Sequence, residues 1–428
     1  MSTQLITADT LRFTTAGSVD DGKSTLIGRL LFDTKSILED QLSSVEKTTT
    51  RRGGKFDNGV DLSLFTDGLA AEREQGITID VAYRYFTTIK RRFIIADTPG
   101  HEQYTRNMVT GASTADLSII LVDASKGLQT QSRRHAVIAS LLGIPHVVLA
   151  VNKMDLVDYS QDVFESIRAE FVAFCKQLHF ADLDFIPLSA LEGDMIVERG
   201  DKLDWYRGKT LLALLETSSA TEREKGDFRF PVQLVGRTKM GRDGDYRGYL
   251  GRIESGHVTV GDSVKVLPSG VEARVQDIVL LNDNLRTAAA PQSVTLVLDS
   301  QIDISRGDMI VHVGKEPRVT NQITANLSWL SAQPLATNRK YLIKHTTQSV
   351  RAIFEGIDYW LNVNTLERET GVTTFKLNDI GRVRLKTLRP LMVDSYDVTR
   401  ETGSFILIDE VSNETVAGGM ILGEVGNG

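Results

Sequence analysis

The polarity pattern along the chain changes character once, near residue 225. Before that point, short apolar runs alternate with segments of helical spacing. Leu11 to Thr15 is a short β-prone run. Phe93-Ile94-Ile95-Ala96, Ser118-Ile119-Ile120-Leu121-Val122 and Val147-Val148-Leu149-Ala150-Val151 carry no charge, the pattern of strands buried on both faces. Lys23 to Phe32 sets Leu26, Ile27, Leu30 and Leu31 on one side of a helix, and helical patterns recur over Gln131–Leu142 and Gln161–Leu178. The alternation predicts an α/β domain with a mostly parallel sheet and helices on both faces. From Phe228 the rhythm is all-β. Phe228–Val235, Ser263–Leu267, Ala273–Leu281 and Val294–Leu298 are separated by glycine-rich turns and predict a small barrel. A second β region, with strands expected at Gln322–Trp329, Lys340–Lys344, Thr373–Leu377 and Phe405–Ile408, runs to the end. The expected domains are 1–225, 226–317 and 318–428, with a charged linker over Thr221–Asp227.

Composition narrows the function classes. The chain has 428 residues and a formal net charge of −7, so it is not a basic body suited to non-specific nucleic-acid binding. Its one cysteine, Cys175, excludes an intramolecular disulfide and a cysteine zinc cluster. Cys175 ends the apolar run Phe171–Cys175 and reads as a buried core thiol. The start of the chain has no apolar signal core and no run reaches transmembrane length, so a cytoplasmic protein without membrane contact is expected. The polar stretch Thr48 to Lys55 reads as a solvated loop rather than a switch.

The chemistry starts at Gly17-Ser18-Val19-Asp20-Asp21-Gly22-Lys23-Ser24-Thr25, which contains G-x-x-x-x-G-K-S between a strand and a helix. This is a phosphate-binding loop, whose amides and following helix N-terminus converge on one anionic site. Lys23 reaches the β- and γ-phosphates and the Ser24 hydroxyl takes a Mg²⁺ position. Asp97-Thr98-Pro99-Gly100 follows a strand, so Asp97 can hold Mg²⁺ and the Gly100 amide can sense a γ-phosphate. In Gly76-Ile77-Thr78-Ile79, the Thr78 hydroxyl and carbonyl are partners for Mg²⁺ and γ-phosphate. Asn152-Lys153-Met154-Asp155 selects the base. A carboxylate at Asp155 accepts from guanine N1–H and the 2-amino group, and adenine leaves it unpaired. Asn152 ties loops together, the Lys153 stem covers the base, and the amides of Ser189-Ala190-Leu191 are set to meet guanine O6. His101, directly after Gly100, reads as the group that orients attacking water, with a local loop contact as the structural alternative. His135, His146, His179, His257, His312 and His345 lack metal-ligand spacing and read as structural.

Gly17–Ser24, Gly76–Thr78, Asp97–His101, Asn152–Asp155 and Ser189–Leu191 together resemble the translation-factor GTPases, and two trailing β domains resemble the elongation factor Tu layout. Tu-like factors carry G-H-V-D-H-G-K, whereas this loop has Ser18 and Asp21. That departure, with Arg106–Ser113, Gln129–His135, Leu203–Tyr206 and Tyr246–Arg252, resembles the large GTPase subunits of bacterial sulfate adenylyltransferases. The resemblance implies a GTPase that couples hydrolysis to an uphill reaction on a separate small, ATP-binding subunit, in a heterodimer or higher heteromer. That subunit makes adenosine 5′-phosphosulfate and pyrophosphate from ATP and sulfate. It also implies that Val19 and Ile77 gate His101. Some relatives continue into an adenylylsulfate kinase domain, and no second phosphate loop appears here. One alternative is a translation factor delivering aminoacyl-tRNA, against which stand Ser18, Asp21 and the acidic balance; another is a GTP-dependent scaffold with no coupled chemistry. The Arg242–Arg252 segment reads equally as a partner surface or a solvated hairpin.

Overall fold

The computed structural model describes residues 10–37, 62, 80–101, 104–219, 226–238, 246–281 and 283–423. Thr78 and the rest of Gly76–Ile79, Thr48–Lys55, Glu102, linker residues 221–225 and Arg242–Asp245 lie outside them. The chain divides into two compact units, residues 1–221 with 363–366, and residues 222–362 with 367–428.

The first unit is built on a six-stranded sheet. Its strands are β1 (Thr10–Ala16), β2 (Ala82–Thr87), β3 (Arg92–Asp97), β4 (Leu117–Asp123), β5 (His146–Asn152) and β6 (Asp182–Pro187), in the order β2-β3-β1-β4-β5-β6. Every pairing is parallel except β2–β3, so the sheet is mixed at one edge. Every residue of β4 and β5 is buried, as their uncharged runs require. The helices are α1 (Lys23–Asp33), α2 (Thr105–Ala112), α3 (Thr130–Leu141), α4 (Gln161–Cys175) and α5 (Leu211–Thr217). Ser160 caps α4, its hydroxyl accepting from Val163 N–H, and Thr210 caps α5 in the same way. Helix α4 stops at Cys175, three residues short of the expected Leu178, in a turn closed by Leu178 N–H on the Cys175 carbonyl. Cys175 is buried, and burial pushes its thiol up to about 12.

Strand register aims the site. Thr15 pairs with Asp97 and Asp123 with Asn152, so β1 finishes beside β3 and β4 beside β5, while Ala16 lies opposite Ile120 and β4 runs on to Asp123. Phe13, Phe86 and Phe93 lock the β1–β3 side, the last two stacked at 4.5 Å.

The second unit contains two closed six-stranded barrels. The first uses β7 (Arg229–Thr238), β8 (Tyr246–Arg252), β10 (Ser263–Leu267), β11 (Val271–Leu280), β14 (Ser293–Leu298) and β15 (Met309–His312). The circuit runs β10-β15-β7-β8-β14-β11 and closes because β11 pairs back to β10. The short strand β12 (Asp283–Leu285) pairs with β11, and β9 (His257–Thr259) and β13 (Thr287–Ala289) pair with each other, sending Val258 and Ala288 into the barrel core. The second barrel uses β16 (Arg318–Trp329), β17 (Lys340–His345), β18 (Gln348–Leu361), β20 (Ile380–Val393), β21 (Ser404–Asp409) and β22 (Thr415–Ile421), with β19 (Arg368–Glu369) on the edge. Its circuit β17-β21-β22-β16-β20-β18 closes through β17–β18. Each barrel has its own apolar core. Leu267, Met309 and Val311 of the first pack with Met392 of the second. Beside them Arg229 meets Asp394 in two bonds of 2.8 Å, both side chains at least nine-tenths buried. Thr402 Oγ1 and the Lys315 carbonyl complete that link.

Two expectations are corrected. Thr373–Leu377 is not a strand; it is an irregular segment that buries Phe375 and touches Leu335 through two hydrogen bonds. The longest strands, β18 and β20, were not anticipated. No helix among the described residues is long and apolar enough to cross a membrane.

Candidate functional site

The loop between β1 and α1 is held by backbone geometry and by its own side chains. Gly22 sits at φ 93°, in the left-handed region, and a Cβ there would collide with Asn152 Nδ2. Asp21 is buried; its Oδ2 accepts from Ser18 N–H at 2.6 Å, closing the loop on itself. Burial, opposed by that bond and by Lys23, raises the Asp21 carboxyl above its usual range. Lys23 Nζ donates to the carbonyls of Gly17 (2.9 Å) and Ser18 (2.8 Å). Burial pulls its ammonium below the usual lysine range, against the charges of Asp21, Asp97 and Asp20.

Asp97 is buried at the end of β3, 3.4 Å from Thr15 Oγ1, and Thr98 Oγ1 donates to the Thr15 carbonyl. Gly100 lies directly over the loop: a Cβ there would strike Lys23 Nζ and come within 2.6 Å of the Gly17 carbonyl. The structure therefore brings Lys23, Asp97 and Gly100 together. His101 follows, partly buried, with its ring 6.0 Å from that of Tyr104. Ser24 and Thr25 begin α1. Thr78 and Ile77, outside the described residues, are not located.

The residues expected to read the base converge from the ends of β5 and β6. Asn152 Nδ2 donates to the Asp21 carbonyl at 2.7 Å, while its Oδ1 accepts from Ala190 N–H at 2.9 Å. One side chain thus ties the phosphate loop to both other loops. Ser189 Oγ donates to Asp155 Oδ1 at 2.6 Å and orients that carboxylate. The Ser189 amide donates to the Asp194 carbonyl, and Leu191 is 48% exposed.

Two residues that sequence reasoning missed support this set. Asp123, at the end of β4, accepts from Lys153 Nζ at 2.8 Å and holds a lysine whose backbone is in the left-handed region. Its carboxyl lies below the usual range, because bonds from Lys153 and Ser125 outweigh the upward push of burial, the largest single effect. Arg29 of α1 bonds the carbonyls of Ala190 and Leu191. An acid at the end of an apolar run was a readable signal for Asp123. Arg29 gave none, since its partners lie about 160 positions away.

Three of the six remaining histidines have structural partners: His146 with Asp184 at 2.8 Å, His312 with Asp262 at 3.1 Å, and His345 with the Thr402 carbonyl at 2.7 Å. No cluster of three or more potential metal ligands of the His, Cys, Asp or Glu type occurs among the described residues.

Residues 8–221 match the family of the elongation factor Tu GTP binding domain, and residues 322–422 the GTP-eEF1A C-terminal domain-like family. Sulfate adenylyltransferase subunit 1 of Alteromonas mediterranea is 51% identical over 97% of this chain and 88% of its own length. The bifunctional enzyme CysN/CysC of Mycobacterium tuberculosis is 54% identical over 97% of this chain and 67% of its own. Among solved structures, the S. cerevisiae Ski7 GTPase-like domain, bound to GDP and inorganic phosphate, aligns over 97% of both chains with a TM-score of 0.54 at 18% identity, a likeness of fold.

Proposed function

The chain belongs to the sulfate adenylyltransferase subunit 1 family of elongation-factor-Tu-like GTPases, and on that premise we propose how it works. It binds and hydrolyses GTP, and it couples the hydrolysis to adenosine 5′-phosphosulfate formation by a separate small, ATP-binding subunit in the cytoplasm. We take it as three domains, 1–225, 226–317 and 318–428, the first carrying the nucleotide.

The observation that carries the nucleotide reading is the Asn152 bridge, which sets the base-reading loop against the phosphate loop. Asp155, oriented by Ser189, accepts from guanine N1–H and the 2-amino group. Lys23 exchanges the Gly17 and Ser18 carbonyls for β- and γ-phosphate oxygens, which pairs its buried charge. The Gly100 amide meets the γ-phosphate, and His101 orients the attacking water. Ser24, Asp97 and Thr78 offer only oxygen donors, and the Asp97 carboxylate is buried within reach of the Lys23 charge, a set that fits Mg²⁺. Mg²⁺, when bound, supplies charge compensation on the phosphate oxygens.

The test is phosphosulfate formed per GTP hydrolysed, with the small subunit present, in wild type and His101→Ala. The variant is expected to bind GTP nearly normally and to hydrolyse it on the order of 10²–10⁴ more slowly. Phosphosulfate should fall to the unfavourable equilibrium level. Slow hydrolysis with undiminished phosphosulfate would defeat the coupling, and unchanged hydrolysis would defeat the role of His101.

A further inference from the structure

The turn that carries Asp155 ends in backbone that most chains avoid. Met154–Val157 form one turn of 3-10 helix, and Asp158 and Tyr159 follow it at φ 50° and 54°. Left-handed backbone is uncommon outside glycine, and a bulky aromatic keeps it only where its surroundings impose it. Contacts on both sides of the peptide and at the end of the side chain impose it on Tyr159. Its N–H donates to the Met154 carbonyl at 2.8 Å, and its carbonyl accepts from Trp205 Nε1 at 2.9 Å. Its hydroxyl donates to Asp194 Oδ2 at 2.8 Å and accepts from Lys202 Nζ at 3.2 Å, the same ammonium standing 5.1 Å from the ring centroid. Burial first, then Asp194, raises the phenol above its usual range, so the hydroxyl keeps the proton it donates.

These bonds lead back to Asp155. Asp194 is buried, and its own carbonyl accepts from the Ser189 amide at 3.2 Å. Ser189 Oγ in turn donates to Asp155 Oδ1. Tyr159, Asp194, Ser189 and Asp155 therefore form a closed circuit that starts and ends on one turn. The Leu203–Tyr206 stretch anchors it from behind. Leu203 is buried, Trp205 lies 5.4 Å from the Phe164 ring of α4, and the Tyr206 hydroxyl donates to the Phe185 carbonyl of β6 at 2.8 Å.

We propose that Tyr159, braced by Trp205, is a positioning residue for base selectivity: it sets the turn so that Asp155 meets guanine N1–H and the 2-amino group together. Tyr159 acts through Asp155 and not on the nucleotide. This rests on the reading of Asp155 as the residue that selects the base.

The test compares GDP with inosine diphosphate, whose base keeps N1–H and lacks the 2-amino group. Both are titrated on the full chain in competition with a fluorescent guanine nucleotide. Tyr159→Phe keeps the ring beneath Lys202 and removes only the hydroxyl. It should weaken GDP about fivefold, the size of one hydrogen bond, and inosine diphosphate about twofold, so the preference for GDP narrows. Trp205→Phe releases the same turn at its carbonyl and should narrow the preference in the same direction. An equal loss for both nucleotides would leave Tyr159 a structural residue only, and an unchanged preference in both folded variants would overturn the proposal. A wild-type chain that does not prefer GDP to inosine diphosphate would sink the reading of Asp155 instead.

Discussion

Asp155 holds one proton acceptor already in use and one still to be committed. Ser189 fixes Oδ1, so the base recognition proposed for Asp155 depends on which groups the carboxylate meets beyond it. Asp155→Asn replaces one acceptor oxygen with a donor amide and sets it against the guanine 2-amino group. Affinity is expected to move from GTP toward xanthosine triphosphate, by about tenfold or more for each nucleotide, read by competition against a fluorescent guanine nucleotide. A variant that still prefers GTP would remove Asp155 from base recognition. Residues whose chemistry is local are legible in the chain itself: Gly22, Lys23 and Asn152 each carry a spacing and a neighbour type that name the task. Arg29 is not, since it works by touching a loop that only the folded sheet brings near, and Asp123 showed only as an acid closing an apolar run, its partner Lys153 being set by the fold.

At the scale of elements, continuous apolar runs such as β4 and β5 were found within a residue of their ends. In the long strand β18, pairing with β20 slips at Phe354/Gly356 and again at Ile357/Tyr359, while β20 pairs residue by residue there and loses its alternation instead over the exposed run 388–390. Each slip breaks the period of two on which the reading depends. The expected strand at Thr373–Leu377 failed for the opposite reason: an apolar residue, Phe375, is buried without any ladder to hold it. Helix α3 carries its own pH dependence. His135 is 1% exposed and its Nδ1 has no partner, and burial first, then Lys23 and Arg134, lowers its imidazolium to about 3. The unfolded histidine protonates near 6.5, so between 6.5 and about 3 the unfolded chain binds the extra proton and stability falls as pH drops. The loss from this group is about 2 kcal/mol by about pH 5. Thermal unfolding at pH 7 and pH 5 should show a smaller gap for His135→Gln than for wild type. An equal gap in both would mean that His135 is solvated and titrates normally.

In the whole molecule, the two barrels share a charge pair where most protein interiors would place hydrocarbon. Arg229 and Asp394 satisfy one another in a fork, with Thr402 and the Lys315 carbonyl taking the remaining capacity. Arg229→Ala leaves a buried carboxylate without its partner and should cost about 3–5 kcal/mol. Replacing both residues by apolar ones of similar volume, Arg229→Met with Asp394→Leu, should recover most of that loss, read as the denaturant midpoint of the second unit. A double variant no better than the single one would show that the pair is not what the junction depends on. The same arithmetic bears on descent. A lineage that loses either member passes through an unstable intermediate, so drift at one position is blocked until the other changes. Among relatives, positions 229 and 394 should therefore change together or not at all, and the joint between the barrels should be inherited as one character.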